Sequence, residues 1–336
     1  TYNIFREHLS RFFKWLYYPD LDYQLRKQAV KPAVITNIPQ LKRKEISNYE
    51  PTDLWTTEEE LLFLKYCPSK RDKCYHAVSR DTSARPIEIL RLKRRDVKFK
   101  EIGTSQYAEV TLKGRKGKEG QRTVPLIDSL PYLKDYLLNE HPMPSNPDAP
   151  LISSTGKSLG RHLRTKRIWD IYDNHKKKTF PGLLQSPDVS PEDKQKIVEL
   201  LKKPWNPYIR RHTALTAKSK ILRDNVFKQH AGWTKNSQMQ IKYLHYFGNE
   251  SSESLLEAYG LVDHGVQLDQ LRPKQCPNCN ESCKVDDKFC PKCMMVLSYD
   301  SYNEVIDKQR QFESDMKEVH DILSEIKDLK KKLKKD

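Results

Sequence analysis

Between Val97 and Leu126 the apolar residues leave helical spacing for the alternation of strands. "YAEVTLK" alternates, "GRKGKEGQ" has the glycines and charges of a turn, and "RTVPL" resumes the alternation, which predicts a β-hairpin with a lysine-rich tip. Around this block the pattern is helical. "TTEEELLFLKYC" restarts a helix with Thr56 and Glu59 in capping-box register. From Pro150 to Gly260 helical spacing returns, broken by proline-bearing loops around Pro181–Pro191 and Pro204–Pro207. The expected fold is mainly α with a small β-sheet or hairpin.

At the start, "NIFREHLSRFFKWLYY" puts Phe5, Leu9, Phe12, Phe13 and Leu16 on one helical face, with Arg6, Arg11 and Lys14 off it. One amphipathic helix cannot bury its own face, so this reads as the end of a small helical domain. A polar linker with Pro32, Pro39 and Pro51 follows. At the other end, the stretch from Tyr299 onward lacks Gly and Pro. There Val305, Phe312, Met316, Val319, Leu323, Ile326 and Leu333 approximate a heptad seam, which predicts a coiled-coil helix.

Charge narrows the partner. Of 336 residues 32% are charged, and the formal net charge is +16. The excess is distributed through "LKRKE", "RLKRRDVKFK", "KGRKGKEGQR", "HKKKTF" and "LKKKLKKD", which suits a polyanion such as duplex nucleic acid better than one small acidic substrate. "SSTGKS" is not a phosphate loop, because Leu151 stands where the first glycine is required. No stretch approaches the roughly 20 apolar residues of a membrane span. Five of the seven cysteines crowd between Cys276 and Cys293, a metal-binding rather than a disulfide pattern, and an intracellular protein is expected.

That cysteine module pairs Cys276 with Cys279 and Cys290 with Cys293 in two C-x-x-C knuckles ten residues apart. Four thiolates so spaced predict one tetrahedral structural Zn2+ per chain, in a zinc-ribbon-like fold. Cys283 is left over as a free thiol. Asn280 and Met294 stand where such knuckles often carry glycine.

"RDTSARPIEILRLKRRDV" sets Arg85 directly before Pro86. Proline suits the first helical turn and pushes the preceding residue into extended backbone, so Arg85 is aimed off the end of a helix. A second cationic cluster, "NPYIRRHTALT", lets Tyr208, Arg211 and His212 share one side of a helical turn. A third, "HAGWTKNSQMQIKYLHYF", breaks a helix at Gly232, continues with Trp233, and closes with Tyr243 and His245.

In this order the boxes resemble those of the tyrosine recombinase (phage-integrase-like) family, particularly its archaeal-type members, over about Asn3 to Gly260. The resemblance implies catalytic arginines at Arg85 and Arg211, a nucleophile at Tyr243, and a general-acid lysine on the hairpin, for which Lys116 is the choice over Lys113 and Lys118. Tyr208 and Trp233 occupy positions where the family usually has histidine. A phenol still donates to a phosphate oxygen, whereas an indole offers one N–H and cannot act as a base. Glu88, His212 and His245 are implied supporting residues. The implied domains are 1–47 (helical DNA-binding remnant and linker), 48–265 (catalytic), 266–297 (zinc ribbon) and 298–336 (coiled-coil tail).

The chemistry suits these residue types. Moving a DNA phosphodiester onto a protein hydroxyl builds negative charge on a pentacoordinate phosphorus. Two guanidinium forks match phosphate oxygens and stay protonated. Tyr243 attacks, Lys116 protonates the leaving 5′-oxygen, and no metal is required at the phosphate. The expected function is a site-specific DNA recombinase or integrase acting on double-stranded DNA as a homo-oligomer, a tetramer on paired sites. The expected setting is cytoplasmic and nucleoid-associated, without a membrane. A type IB topoisomerase and a catalytically inactive DNA-bridging protein are the alternatives.

Overall fold

The hairpin between Val97 and Leu126 belongs to a three-stranded antiparallel meander, β1 (Val97–Ile102), β2 (Ser105–Gly114) and β3 (Gly117–Leu126), in the order β1-β2-β3. The computed structural model describes residues 2–41, 49–103, 105–114, 117–244, 271–298, 303, 306–317 and 319. Most of "GRKGKEGQ", expected as a turn, is strand: Gly114 pairs with Gly117, and a register shift between Leu112 and Gly114 carries the ladder almost to the tip. Backbone pairing continues here through residues whose composition alone suggests a turn. On β2 the buried residues Ala108, Val110 and Leu112 alternate with more exposed ones. On β3 the inward face carries Val124, Leu126 and Arg122, all buried.

Contacts divide the chain into two units, Thr1–Asn48 and Tyr49–Asp336. The first contains α1 (Tyr2–Tyr17), α2 (Tyr23–Gln28) and α3 (Ala33–Thr36). Asp22 caps α2 by accepting from the Gln24 and Leu25 amides, and Arg6 reaches the Ile38 carbonyl at 2.7 Å. α1 buries none of its residues, and Phe5, Phe12 and Leu16 of its apolar stripe are each more than half exposed.

In the second unit the helices are α4 (Thr57–Tyr66), α5 (Lys70–Thr82), α6 (Pro86–Leu90), α7 (Leu130–Asn139), α8 (Thr165–Asn174), α9 (Phe180–Leu183), α10 (Pro191–Lys202), α11 (Pro207–Ser219), α12 (Asp224–Ala231) and α13 (Ile241–Leu244). Thr56 and Glu59 form the reciprocal capping box that their spacing predicts at the start of α4. The core packs Phe63, Phe180, Trp205 and Ile209 with the inner residues of the sheet. One polar network crosses it: buried Glu60 takes Arg80 from α5 and Arg210 from α11, each at 2.5 Å. A buried carboxylate so shared holds three helices in one arrangement, and losing either partner would leave a buried charge unpaired. Asp81 closes the corner after β3 by accepting from the Ile127 and Ser129 amides and the Ser129 hydroxyl.

The cysteine module follows, with β4 (Lys274–Gln275) paired to β5 (Ser282–Cys283). It lies against α7 through Lys284 with Asp135 and Lys134 with Glu281, and it reaches β2 through Gln275 and Ser105 at 2.9 Å. Residues 306–317 are helical and leave Phe312 and Met316 exposed; Leu323, Ile326 and Leu333 of the expected seam lie outside the described residues. Among the described residues, no helix is long and apolar enough to cross a membrane.

Candidate active site

Arg85 is the N-cap of α6, with extended backbone (φ −67°, ψ 146°), as the following proline dictates. Glu88, one turn on, holds it at two points: Oε2 accepts from the Arg85 amide at 2.9 Å and Oε1 from its Nη1 at 3.2 Å. Just over a third of the Arg85 side chain stays exposed, so the carboxylate orients the guanidinium without covering it.

Arg211 projects from α11 and is buried. Its Nη1 donates to the Ser83 carbonyl and its Nη2 to the Ala231 carbonyl at 2.9 Å. Both acceptors sit at helix ends. Ser83 ends α5 in the left-handed region (φ 46°), an uncommon and costly conformation for a residue with a Cβ, and this turn brings its carbonyl to Arg211. Ala231 is the last residue of α12, which Gly232 closes at φ 68°. Burial, and next the charge of Arg85, push the Arg211 guanidinium down to about 10, while Tyr243 and Glu88 oppose that shift. Arg85, Glu88 and Tyr243 thus each lie within electrostatic reach of Arg211.

Tyr243 comes from the short helix α13 and is buried. Its ring lies 5.5 Å from Trp233, 5.4 Å from His212 and 6.2 Å from Phe227. Trp233 therefore acts as a wall that holds the tyrosine ring, a use of its packing face rather than of base chemistry. Tyr208 stands apart: it is 42% exposed, and its ring lies 5.9 Å from Trp169. Lys116 and His245 lie outside the described residues, while Lys113, a rival for the lysine role, is exposed on β2.

Three residues here were not singled out in the sequence. Arg122 donates from Nη2 to Glu88 Oε2 at 3.0 Å. Burial alone would push the Glu88 carboxyl up, but the charge and hydrogen bond of Arg122, with the Arg85 amide, hold it below the usual range. His230 approaches the Ser83 hydroxyl at 3.2 Å. Burial, then Lys218, Arg122 and Arg211, push its imidazole down to about 4, so it is neutral at physiological pH. Ser83 itself is the third. Arg122 was legible as the one charged residue on the inward face of "RTVPL"; the roles of Ser83 and His230 depend on tertiary neighbours.

Three arginines around one carboxylate leave a local excess of positive charge that an anion would balance. Unlike a solvated basic patch, two of these guanidiniums are buried and aimed by fixed acceptors.

The four knuckle cysteines lie with their Sγ atoms all within 4.8 Å of one another and could hold a metal ion. Cys276 faces Cys293 at 3.5 Å, and Cys279 faces Cys290 at 3.5 Å. Asn280 (φ 56°) and Met294 (φ 60°) adopt the left-handed conformation, so each knuckle turns without glycine. Cys283 is not among the four; its thiol points at the Glu281 carbonyl. A second group, Cys67, Asp72 and His175, also lies together, but Asp72 is already paired with Arg71 and with His175 Nε2 at 3.0 Å. That pairing satisfies the group without an ion.

No family model matches the chain, and no curated protein matches its sequence. Among solved structures it is similar to the XerA recombinase, at 16% identity and a TM-score of 0.43 over 76% of this chain and 82% of that one. It is also similar to the Tn1549 transposon integrase in complex with transposon right end DNA, at 13% identity and a TM-score of 0.45 over 75% and 84%. A third is the XerH site-specific recombinase bound to its difH substrate in a pre-cleavage complex, at 16% identity and a TM-score of 0.40 over 73% and 68%.

Proposed function

We propose that this chain is a tyrosine recombinase that cleaves and rejoins double-stranded DNA through a 3′-phosphotyrosine on Tyr243. The observation that carries this reading is two aimed arginines in one site, Arg85 held by Glu88 and Arg211 by the Ser83 and Ala231 carbonyls, with Arg85 and Tyr243 both in electrostatic reach of Arg211. A phosphodiester placed there meets two fixed cations and a hydroxyl nucleophile. The Tyr243 oxygen attacks phosphorus, its hydroxyl proton passes to solvent, and the bond from phosphorus to the 5′-oxygen breaks. Lys116, which falls between β2 and β3 in the sequence, is the residue proposed to supply the proton that makes the leaving group a free 5′-hydroxyl. Rejoining is the reverse: a 5′-hydroxyl attacks the phosphotyrosine, so no nucleotide cofactor is consumed.

The test uses a pool of nicked duplexes of randomised sequence, in which the fragment beyond the nick diffuses away after cleavage. Covalent protein–DNA adducts are expected, and sequencing the trapped strands would identify the site. A chain that traps none from such a pool is not a recombinase. Exchange between two trapped sites separates recombination from simple relaxation of supercoils.

Binding itself should depend steeply on salt. Phosphate contacts by Lys and Arg release counterions, and about six to ten of them would cost three to five orders of magnitude in affinity between roughly 50 and 200 mM salt. An affinity that stays flat over that range contradicts the nucleic-acid assignment.

Cys276, Cys279, Cys290 and Cys293 are the residues that would hold Zn2+, and four thiolates with no open position suit a structural role. Purified protein should contain about one zinc per chain. Chelation should expose the segment 271–298 to protease while α4–α11 keep their protection; a module that stays protected without metal would count against zinc. The tail from 298 onward is proposed to associate between copies on paired sites, its exposed Phe312 and Met316 forming part of the seam.

A further inference from the structure

We propose that Arg122 is a positioning residue of the strand-transfer site, a clamp that locks Glu88 and through it the phosphate-facing Arg85, and that Gly232 exists to admit it. The proposal rests on the recombinase reading above.

Arg122 stands where the strand alternation calls for an apolar side chain, between the inward face of β3 and its partner Leu112 on β2. Its side chain is 2% exposed. A guanidinium placed in a core for packing alone would be expected to have its donors satisfied, because each buried orphan is costly. Arg122 spends Nη2 on Glu88, yet Nε and Nη1 have no hydrogen-bond partner among the described residues. A second observation points the same way. A Cβ built on Gly232 would come within 2.5 Å of Arg122 Nη1, and Gly232 already holds φ +68° to close α12. The Gly232 backbone therefore lies beside the guanidinium that holds Glu88: its φ favours glycine, and a methyl there would require Arg122 to shift.

The consequence is electrostatic as well as geometric. Glu88 Oε2 serves both Arg122 and the Arg85 amide, and Oε1 serves the Arg85 guanidinium. Without Arg122 the whole carboxylate charge would fall on Arg85, the cation left open to solvent, and cancel much of its attraction for phosphate. With Arg122 the charge is divided, the carboxylate cannot rotate, and Arg85 keeps both its direction and its net positive field.

The test compares Arg122→Met, Arg122→Lys, Gly232→Ala, Glu88→Gln and the double variant Arg122→Met/Glu88→Gln on the nicked duplex pool. Arg122→Met is expected to slow single-turnover adduct formation by about a hundredfold, since misplacing a reacting group by about 1 Å costs that much. DNA affinity should stay within about twofold, because the Arg122 side chain is buried. Gly232→Ala should copy this defect, and Arg122→Lys should recover part of the rate. The double variant should be no slower than Glu88→Gln alone, as two residues acting through one contact must be non-additive. Parallel losses of rate and affinity, or multiplicative effects in the double variant, would overturn the clamp. If the parent makes no adduct, the recombinase reading fails separately, and the Nε–H resonance of Arg85 decides the clamp without DNA. A resonance that shifts and broadens in Arg122→Met supports it, and an unchanged one refutes it.

Discussion

The Tyr243→Phe protein is expected to bind DNA as tightly as the parent and to form no covalent adduct with it. The change removes one oxygen and leaves the ring. That ring is the part of Tyr243 that packs, among Leu215, Phe227 and Ala231 and beside Trp233 and His212. The phenylalanine should therefore keep the same seat, at a stability cost of no more than about 1.5 kcal/mol for a lost hydroxyl interaction. Arg85 and Arg211, the proposed phosphate ligands, remain, so affinity should survive. What disappears is the hydroxyl proposed to form the bond to phosphorus, and with it the adduct, to the detection limit of a denaturing gel. Two other tyrosines could take its place. Tyr208 is exposed on Trp169, and Tyr246 lies three residues on, outside the described residues. An adduct that persists in Tyr243→Phe, or a trapped peptide carrying DNA on either of these, would refute the assignment.

How much of this site was legible depends on which distances make it. Arg85 could be read from its neighbour: proline forces extended backbone before a helix, and the structure has that backbone. Glu88 was implied only by the resemblance, yet both of its contacts to Arg85 are local, three residues apart. The hairpin is legible from alternation, but its turn is narrower than composition suggests, because glycines and lysines that compose well as a loop also pair as strand. Arg210 and Arg211 show the limit of local reading. Adjacent in sequence, they face different surroundings: Arg210 is fully buried on Glu60 beneath Trp55, and Arg211 is held by two main-chain carbonyls. Box order distinguished them through a family resemblance; nothing in "IRRHT" alone says which arginine binds its own core. Ser83 was invisible for a stronger reason. Its contribution is a carbonyl, placed by a left-handed turn against an arginine 128 positions away.

Arg211→Ala is expected to slow cleavage by two to three orders of magnitude, equivalent to about 3 to 4 kcal/mol of transition-state stabilisation. Unlike the tyrosine change, it should also destabilise the fold. The Ser83 and Ala231 carbonyls, which end α5 and α12, would each lose a charge-assisted donor in a buried place, at about 1 to 3 kcal/mol apiece. Local loosening there would displace His230 and the Gly232 turn, so a slow Arg211→Ala enzyme by itself leaves chemistry and folding entangled. Arg211→Lys separates them. An ammonium keeps the charge and can satisfy one carbonyl, but it has no planar fork with which to meet two acceptors and still face a phosphate. Its melting temperature should therefore fall by less than that of Arg211→Ala while its cleavage rate falls by a similar factor. A lysine enzyme that cleaves at nearly the parental rate would show that Arg211 contributes charge alone. An alanine enzyme that loses stability but not rate would assign Arg211 to the scaffold and leave Arg85 as the sole phosphate cation of the pair.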